Sequence, residues 1–320
     1  MKNKVLIVGS GFMAKEYLVV LKAMNKGAIV VGRGKEKIEL LKNEFPEFEF
    51  RYGGLDKYLD SDKEIPEYAI NASSINQLFA TTKMLLHAGV KSILLEKPGA
   101  LFLKDLEEIE QLSHQRDSNV YIAYNRRFYA SIQTLKNEVI HDGGIKSAHF
   151  EFTEWAHTID QNKFDNEVLN KWIISNSAHV IDTVFHLIGK PEQMVSMVSG
   201  EGQIPWHSSG SIFIGMGKSV NNIPFSYHSN WNSAGRWAIE ISTAKRRFYL
   251  KPMEKLFAQK LGTVSLDEIE IDDSLDRDYK PGIYSQVQKF LNGDCQELCT
   301  IEEQRKSYEG VYMKIGSYTS

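Results

Sequence analysis

The sequence predicts an α/β chain of two domains: a doubly wound parallel sheet over residues 1–123, then an α+β domain over 124–320 with an open, mostly antiparallel sheet. Three observations predict it. The first third alternates short apolar runs with amphipathic stretches. A glycine-rich turn directly follows the first apolar run. After about Asn125 the rhythm changes to strand-like segments with few helices between them. The 320 residues suffice for two domains of roughly 150 residues each.

In order, Val5–Val8 reads as a strand and Met13–Met24 as a helix, Ala28–Gly32 as a strand and Lys35–Glu44 as a helix. The alternation continues through Tyr68–Asn71, Gln77–Ala88, Ser92–Leu95, Leu103–Asp117 and Val120–Ala123. Strands covered on both faces by crossover helices must be continuously apolar, as Val5-Leu6-Ile7-Val8 is. A helix is expected over Phe128–His141, then strands at Ser147–Phe152, Gln193–Ser199, Ser211–Gly215, Pro224–Asn230, Trp237–Ile241 and Arg246–Leu250. One amphipathic helix, Ser177–Leu187, interrupts them. The chain closes with helical patterns at Ile283–Leu291 and Glu302–Ser317, candidates to pack back on the first domain.

Composition excludes several classes. With 42% hydrophobic and 25% charged residues the chain is an ordinary globular one, neither disordered nor collagenous. Thirty-eight Lys and Arg against 41 Asp and Glu lack the basic excess of a nucleic-acid binder. Cys295 and Cys299 supply too few ligands for a structural zinc site, and no metal is expected. No apolar run approaches the roughly 20 residues of a membrane span, so a cytoplasmic protein without a membrane partner is expected. The acidic stretch Asp267–Asp278 lacks the glycine and spacing of a calcium loop and reads as solvated strand and loop.

The chemistry concentrates at a few motifs. Gly9-Ser10-Gly11-Phe12-Met13-Ala14 is a G-x-G-x-x-A element between strand and helix. Its glycines allow a tight turn and close backbone approach to a pyrophosphate, and the helix N-terminus attracts the anion. At the end of the second strand, Val31-Gly32-Arg33-Gly34-Lys35 holds no acid for ribose hydroxyls. Arg33 can pair with a 2′-phosphate, which favours NADP(H) over NAD(H); the alternative is a solvated loop residue. Glu96-Lys97-Pro98 follows another strand, at the sheet edge where such folds bind ligands. Beside an oxidised nicotinamide an ammonium is disfavoured, so Lys97 is suited to exchange a proton with a substrate hydroxyl.

These motifs, with Tyr124-Asn125-Arg126-Arg127-Phe128 and Asn176-Ser177-Ala178-His179-Val180-Ile181-Asp182, make the chain resemble the glucose-fructose oxidoreductase and inositol dehydrogenase (Gfo/Idh/MocA) family of NAD(P)-dependent oxidoreductases over nearly its whole length. The resemblance implies a Rossmann domain and a second domain whose open sheet often forms oligomer contacts, hence a homodimer or homotetramer. It also implies hydride transfer at a sugar or polyol carbon. Lys97 matches the family's catalytic lysine and His179 its active-site histidine. Gly9, Gly11, Phe12, Met13, Arg33, Ser73, Glu96 and Lys97 are the expected cofactor contacts. Lys97, Tyr124, Asn125, Arg126, Asn176 and His179 are the expected substrate contacts, with Arg126 or Arg127 available for an anionic group or a salt bridge. Asp182 is read as structural. Trp231, Arg236 and Trp237 are candidates for a sugar site or for core.

Two departures stand out. Ser175 occupies the place, four residues before His179, where the family commonly has an Asp. Ala72-Ser73-Ser74 and Leu78 replace the family's Ala-Thr-Pro and following His. Both imply a divergent subgroup, acting on modified or nucleotide-linked sugars. The expected activity is NAD(P)-dependent oxidation or reduction of a secondary hydroxyl or ketone. The alternatives are a cofactor-recycling glycosidase of the same fold and a noncatalytic nucleotide-binding regulator.

Overall fold

The computed structural model describes residues 4–61 and 65–318. The chain divides into two compact units, Met1–Tyr124 with Asp278–Arg305 and Asn125–Arg277 with Lys306–Ser320.

The first unit runs β1 (Lys4–Val8), α1 (Phe12–Ala23), β2 (Gly27–Gly32), α2 (Lys35–Glu44), β3 (Glu49–Tyr52), α3 (Leu55–Ser61), β4 (Tyr68–Asn71), α4 (Leu78–His87), β5 (Ser92–Leu95), α5 (Leu103–Gln115) and β6 (Asn119–Ile122). The six strands are parallel in the order β6-β5-β4-β1-β2-β3. Leu6 and Ile7 in central β1 are fully buried, as strands covered on both faces require. In α1 the buried positions Ala14, Tyr17, Leu18 and Leu21 fall on one helical stripe. The strand order reverses between β1 and β4, and the glycine turn lies at that switch point, where doubly wound folds bind ligands.

The second unit holds α6 (Ala130–His141), β7 (Ser147–Glu151), α7 (Asn166–Asn170), α8 (Ala178–Ile188), β8 (Pro191–Ser199), β9 (Ile212–Ser219), β10 (Pro224–Asn230), β11 (Ala238–Ser242), β12 (Arg246–Leu250), β13 (Phe257–Lys260) and β14 (Asp267–Glu268), followed by the short helix α9 (Ser274–Asp278). Its sheet has the order β14-β13-β12-β11-β7-β10-β9-β8 and is antiparallel except for the β7–β10 pair. Helix α8 covers one face through Phe185, which meets Phe150 and Phe225 edge-on at 5.8 and 5.1 Å. On β8 and β9 the other face leaves Val195, Met197, Ile214 and Met216 exposed. The chain ends with α10 (Ile283–Asn292), β15 (Cys299–Thr300), which adds antiparallel to β6, then α11 (Ile301–Ser307) and α12 (Met313–Gly316).

Several boundaries depart from the sequence reading. The helix expected from Phe128 starts at Ala130, because Asn125–Phe128 forms a separate 3-10 turn. The helix expected over Glu302–Ser317 widens into a π-helical turn at Tyr308–Tyr312, around Gly310. The acidic stretch carries β14 and α9. Among the described residues no helix is long and apolar enough to cross a membrane.

Candidate active site

In the first unit the site begins with backbone. Gly9 has φ +122°, and a Cβ there would stand 2.4 Å from the Ala72 carbonyl oxygen, so only glycine lets the ends of β1 and β4 approach this closely. Its N–H donates to the Val31 carbonyl at 2.8 Å, fixing the turn against β2. Gly11, in contrast, faces open space: a Cβ there would meet nothing within 4 Å. Helix α1 starts immediately afterwards with no side-chain cap and no acid in its first turn. Uncapped N–H groups at a helix start bind anions, and the bare Gly11 leaves room for one to reach them, so the turn fits a dinucleotide pyrophosphate. Phe12 is exposed beside it, Met13 half-buried, and the Lys280 ammonium stands 5.2 Å from the Phe12 ring centroid. The sequence reading passed over Lys280, because only the return of the chain after α9 brings it to the glycine turn.

At the end of β2, Arg33 and Lys35 are exposed. The Arg33 guanidinium donates to Gln77 Oε1, and the Lys35 ammonium lies 5.7 Å from the Tyr52 ring centroid. At the end of β4, Ser73 Oγ donates to Asn71 Oδ1 at 2.8 Å. Asn71 is fully buried, and its Nδ2 donates to Thr81, Thr82 and the Leu78 carbonyl. This amide clamp holds the β4–α4 loop where the resemblance calls for Thr-Pro. Only the polarity of Asn71, at the end of an apolar run, signals it in the sequence.

Glu96 and Lys97 follow β5. Glu96 is buried and accepts a 2.6 Å hydrogen bond from Tyr17 on the inner stripe of α1. Burial pushes its carboxyl above the usual range, and the Tyr17 bond and the charges of Lys97 and Lys280 offset only part of that. Lys97 is half-buried and precedes a cis bond to Pro98. The turn is held from behind, since Gln304 Nε2 donates to the Pro98 carbonyl at 2.9 Å and Gln304 Oε1 accepts from Tyr124 at 3.1 Å. Tyr124, expected among the substrate contacts, is therefore a fully buried prop of the Lys97 turn.

The second unit gathers side chains instead. A π-helical turn, Ile173–Ser177, leads into α8, and such widened turns recur at functional sites. It presents Asn176 and Ser177 to Glu154, which lies three residues beyond β7 and is 2% exposed. Glu154 Oε1 accepts from Asn176 Nδ2 at 3.0 Å, Ser177 Oγ at 2.6 Å and Trp237 Nε1 at 3.2 Å, and its Oε2 accepts from Arg236 at 3.3 Å. Even with these four donors, burial holds the carboxyl above its ordinary range. Two guanidiniums lie over the Trp237 indole, Arg126 at 4.6 Å and Arg236 at 4.8 Å, and the ring is 5.9 Å from that of His179. Burial also pulls the Arg126 guanidinium below its usual value. Asn125 is buried and hydrogen-bonded to Tyr129.

Two expectations in this unit resolve. Arg127 forms a bidentate pair with Asp182, at 2.7 and 2.6 Å, with both side chains buried. That commits Arg127 to the scaffold, leaves Arg126 to join Arg236 in the cluster, and makes Asp182 structural. Ser175 is buried and donates to the Val168 and Lys171 carbonyls, so its hydroxyl stabilises the turn. The carboxylate of this neighbourhood is Glu154, which sequence reasoning missed. Its one signal was an acid between the strand segment ending at Phe152 and Trp155.

Comparison with known proteins agrees with this architecture. The Gfo/Idh/MocA family model, described as an oxidoreductase family with an NAD-binding Rossmann fold, matches residues 3–124. No curated protein sequence matches the chain. Among solved structures, the chain is similar to an aldose-aldose oxidoreductase from Caulobacter crescentus complexed with glycerol, with a TM-score of 0.76, 15% identity, and 99% of this chain and 98% of that one covered. It is also similar to an oxidoreductase from Agrobacterium radiobacter in complex with NAD+, L-tartaric acid and magnesium, with a TM-score of 0.75, 15% identity and coverages of 98% and 96%. A third is the UDP-N-acetylglucosamine 3-dehydrogenase from Acidithiobacillus ferrooxidans, with a TM-score of 0.73, 14% identity and 99% of both chains covered. At these identities the likeness is one of fold.

Proposed function

From the match of residues 3–124 to the model of an oxidoreductase family with an NAD-binding Rossmann fold, we propose that the protein moves a hydride between a nicotinamide cofactor and a secondary hydroxyl or ketone of a sugar, polyol or sugar conjugate, preferring NADP(H) over NAD(H). The observation that carries this reading is the bare Gly11 at the uncapped start of α1, with Lys97 at the end of β5 in the same sheet. Gly11 and the first N–H groups of α1 would hold the pyrophosphate on the turn that Gly9 shapes, Phe12, Met13, Ser73 and Glu96 would contribute the surrounding cofactor contacts, and Arg33 would pair with the 2′-phosphate. When bound, the cofactor accepts or supplies the hydride.

The residues handle the proton. In the oxidative direction the carbinol carbon loses a hydride and its hydroxyl proton passes to the neutral amine of Lys97; in the reductive direction the Lys97 ammonium returns that proton to the forming alkoxide. His179, in the second unit, is the second residue proposed to orient or exchange a proton. Arg126 and Asn176 grip the sugar, and Glu154 is a positioning residue that holds Asn176 and Trp237 through its hydrogen bonds. The exposed quartet of Val195, Met197, Ile214 and Met216, in which Val195 faces Met216 and Met197 faces Ile214 across β8 and β9, supports self-association through the open sheet.

A paired fluorescence titration tests the cofactor assignment. Arg33→Ala should weaken NADPH by about tenfold or more, the loss of a charge-assisted pair, and NADH by less than about twofold. Equal losses for both would remove Arg33 from the phosphate site.

A further inference from the structure

The second unit contains a cavity of about 1020 Å³ that none of the expected catalytic or cofactor residues lines. Its walls are Trp155, Trp206 and Trp231, with Gln161, Gln203 and Asn232 among the polar side chains between them. We propose that this cavity is a saccharide subsite, which receives the neutral second ring of a disaccharide or glycoside whose first ring is the one oxidised or reduced. The inference rests on the sugar reading above and deepens it by choosing among substrate classes.

Three observations argue for a neutral sugar. No Asp, Glu, Lys or Arg lines the cavity, whose one titratable lining side chain is His157, so a nucleoside diphosphate would find no permanently cationic group there. The adjacent cations are engaged elsewhere: Arg236 is turned to Glu154 with its guanidinium 4.7 Å from the Trp155 ring centroid, and Lys163 pairs with Asp160 at 3.6 Å. Behind the wall, His207 packs 4.7 Å from the Trp231 ring, with its Nδ1–H on the Gly210 carbonyl at 2.9 Å and its Nε2 at 3.0 Å from the Tyr318 hydroxyl. Burial pulls this imidazole down to about 4, so it too is uncharged near neutrality.

The wall chemistry also suits a pyranose. The Trp155 indole, 49% exposed, offers a flat face for the apolar C–H groups of a sugar ring, while Trp206 and Trp231 contribute mostly buried rings, and amides exchange hydrogen bonds with the sugar hydroxyls. The aromatic surface is built rigidly: Trp206 stacks with Trp231 at 6.0 Å and meets Trp172 edge-on at 5.6 Å, while the Trp155 Nε1–H is fixed on the Gly235 carbonyl at 2.9 Å. The volume lies at the upper limit of the about 300–1,000 Å³ usual for small-molecule sites. The cavity is also linked to the His179 cluster. Trp155 and Gly235 line it, and Arg236 stacks on Trp155 and on Trp237, which neighbours His179.

Calorimetric titration of the full chain with glucose, cellobiose, maltose, p-nitrophenyl glucoside and UDP-glucose tests this without needing turnover. At least one disaccharide or the aryl glucoside should bind about tenfold or more tightly than glucose, while UDP-glucose gains less than about twofold. Trp155→Ala should erase that gain, and Trp155→Phe should keep most of it. Ala234→Trp, which adds a bulky ring at an exposed lining position, should erase it without disturbing Trp155. A gain confined to UDP-glucose, no gain for any ligand, or a gain that survives both Trp155→Ala and Ala234→Trp would overturn the subsite. A protein that shows the disaccharide gain yet transfers no hydride keeps this inference and loses the reading beneath it.

Discussion

The two units build binding chemistry in different materials. In the first, the glycine turn works through backbone: a strand end approached within a van der Waals limit at Gly9, an open face at Gly11, and the bare N–H groups of α1. In the second, the work is done by side chains from the loop after β7, the π-helical turn, α8 and the loop before β11, assembled around Glu154 and Trp237. Backbone sites are specified by a few glycines at fixed spacing and tolerate change elsewhere. Side-chain sites depend on a buried scaffold, and each member is exposed to the loss of its partners.

This contrast predicts where damage falls. The largest effect belongs to the scaffold of the second unit. Arg127→Ala leaves the Asp182 carboxylate buried without its guanidinium and should cost about 3–5 kcal/mol of stability by urea unfolding. A loss under about 1 kcal/mol would mean that the pair does not carry the cluster. Next comes the pair of glycines. Gly9→Ala incurs about 1–3 kcal/mol for its backbone conformation before the contact with the Ala72 carbonyl is counted, so both melting temperature and cofactor affinity should fall. Gly11→Ala should leave the melting temperature unchanged and weaken NADPH by about tenfold, comparable to one charge-assisted hydrogen bond. If the two substitutions behave alike, the distinction between a structural and a ligand-facing glycine fails.

The smallest effect is a pH dependence. The Glu154 carboxyl is raised by burial above its unfolded value, so across the interval between the two values the native state holds more protons than the unfolded chain. Its contribution to stability is therefore fully present below the ordinary carboxylate range and declines as pH rises towards the raised native value. Glu154→Gln should remove that component, making the difference in stability between wild type and variant shrink with rising pH, as read from urea midpoints. A difference independent of pH would show that the hydrogen bonds from Ser177, Asn176 and Trp237 fully offset burial.

The same contrast explains what could be read in the sequence. The parallel sheet was legible because β1, β2 and β5 are continuously apolar, and the turn because G-x-G-x-x-A has a fixed spacing. Edge strand β3, Glu49-Phe50-Arg51-Tyr52, carried no apolar run because none of its residues is fully buried, and the two-residue β15 is too short to leave a pattern. Glu154 was invisible as a hub because its partners are 22, 23, 82 and 83 residues away, a relation that no local period encodes. Arg126 and Arg127 looked equivalent side by side. Only tertiary packing turns one towards Trp237 and the other into Asp182.

The central claim is hydride transfer, and isotope transfer tests it most directly. The protein is incubated with NADPH deuterated at nicotinamide C4 and a panel of keto-sugars and keto-glycosides, and the products are read by mass spectrometry and NMR. The account predicts deuterium at one secondary carbinol carbon, with Lys97→Ala lowering the rate by about 10²–10⁴ while NADPH still binds. Tight NADPH binding with no label in any sugar would contradict it and leave a nucleotide-binding protein of this fold.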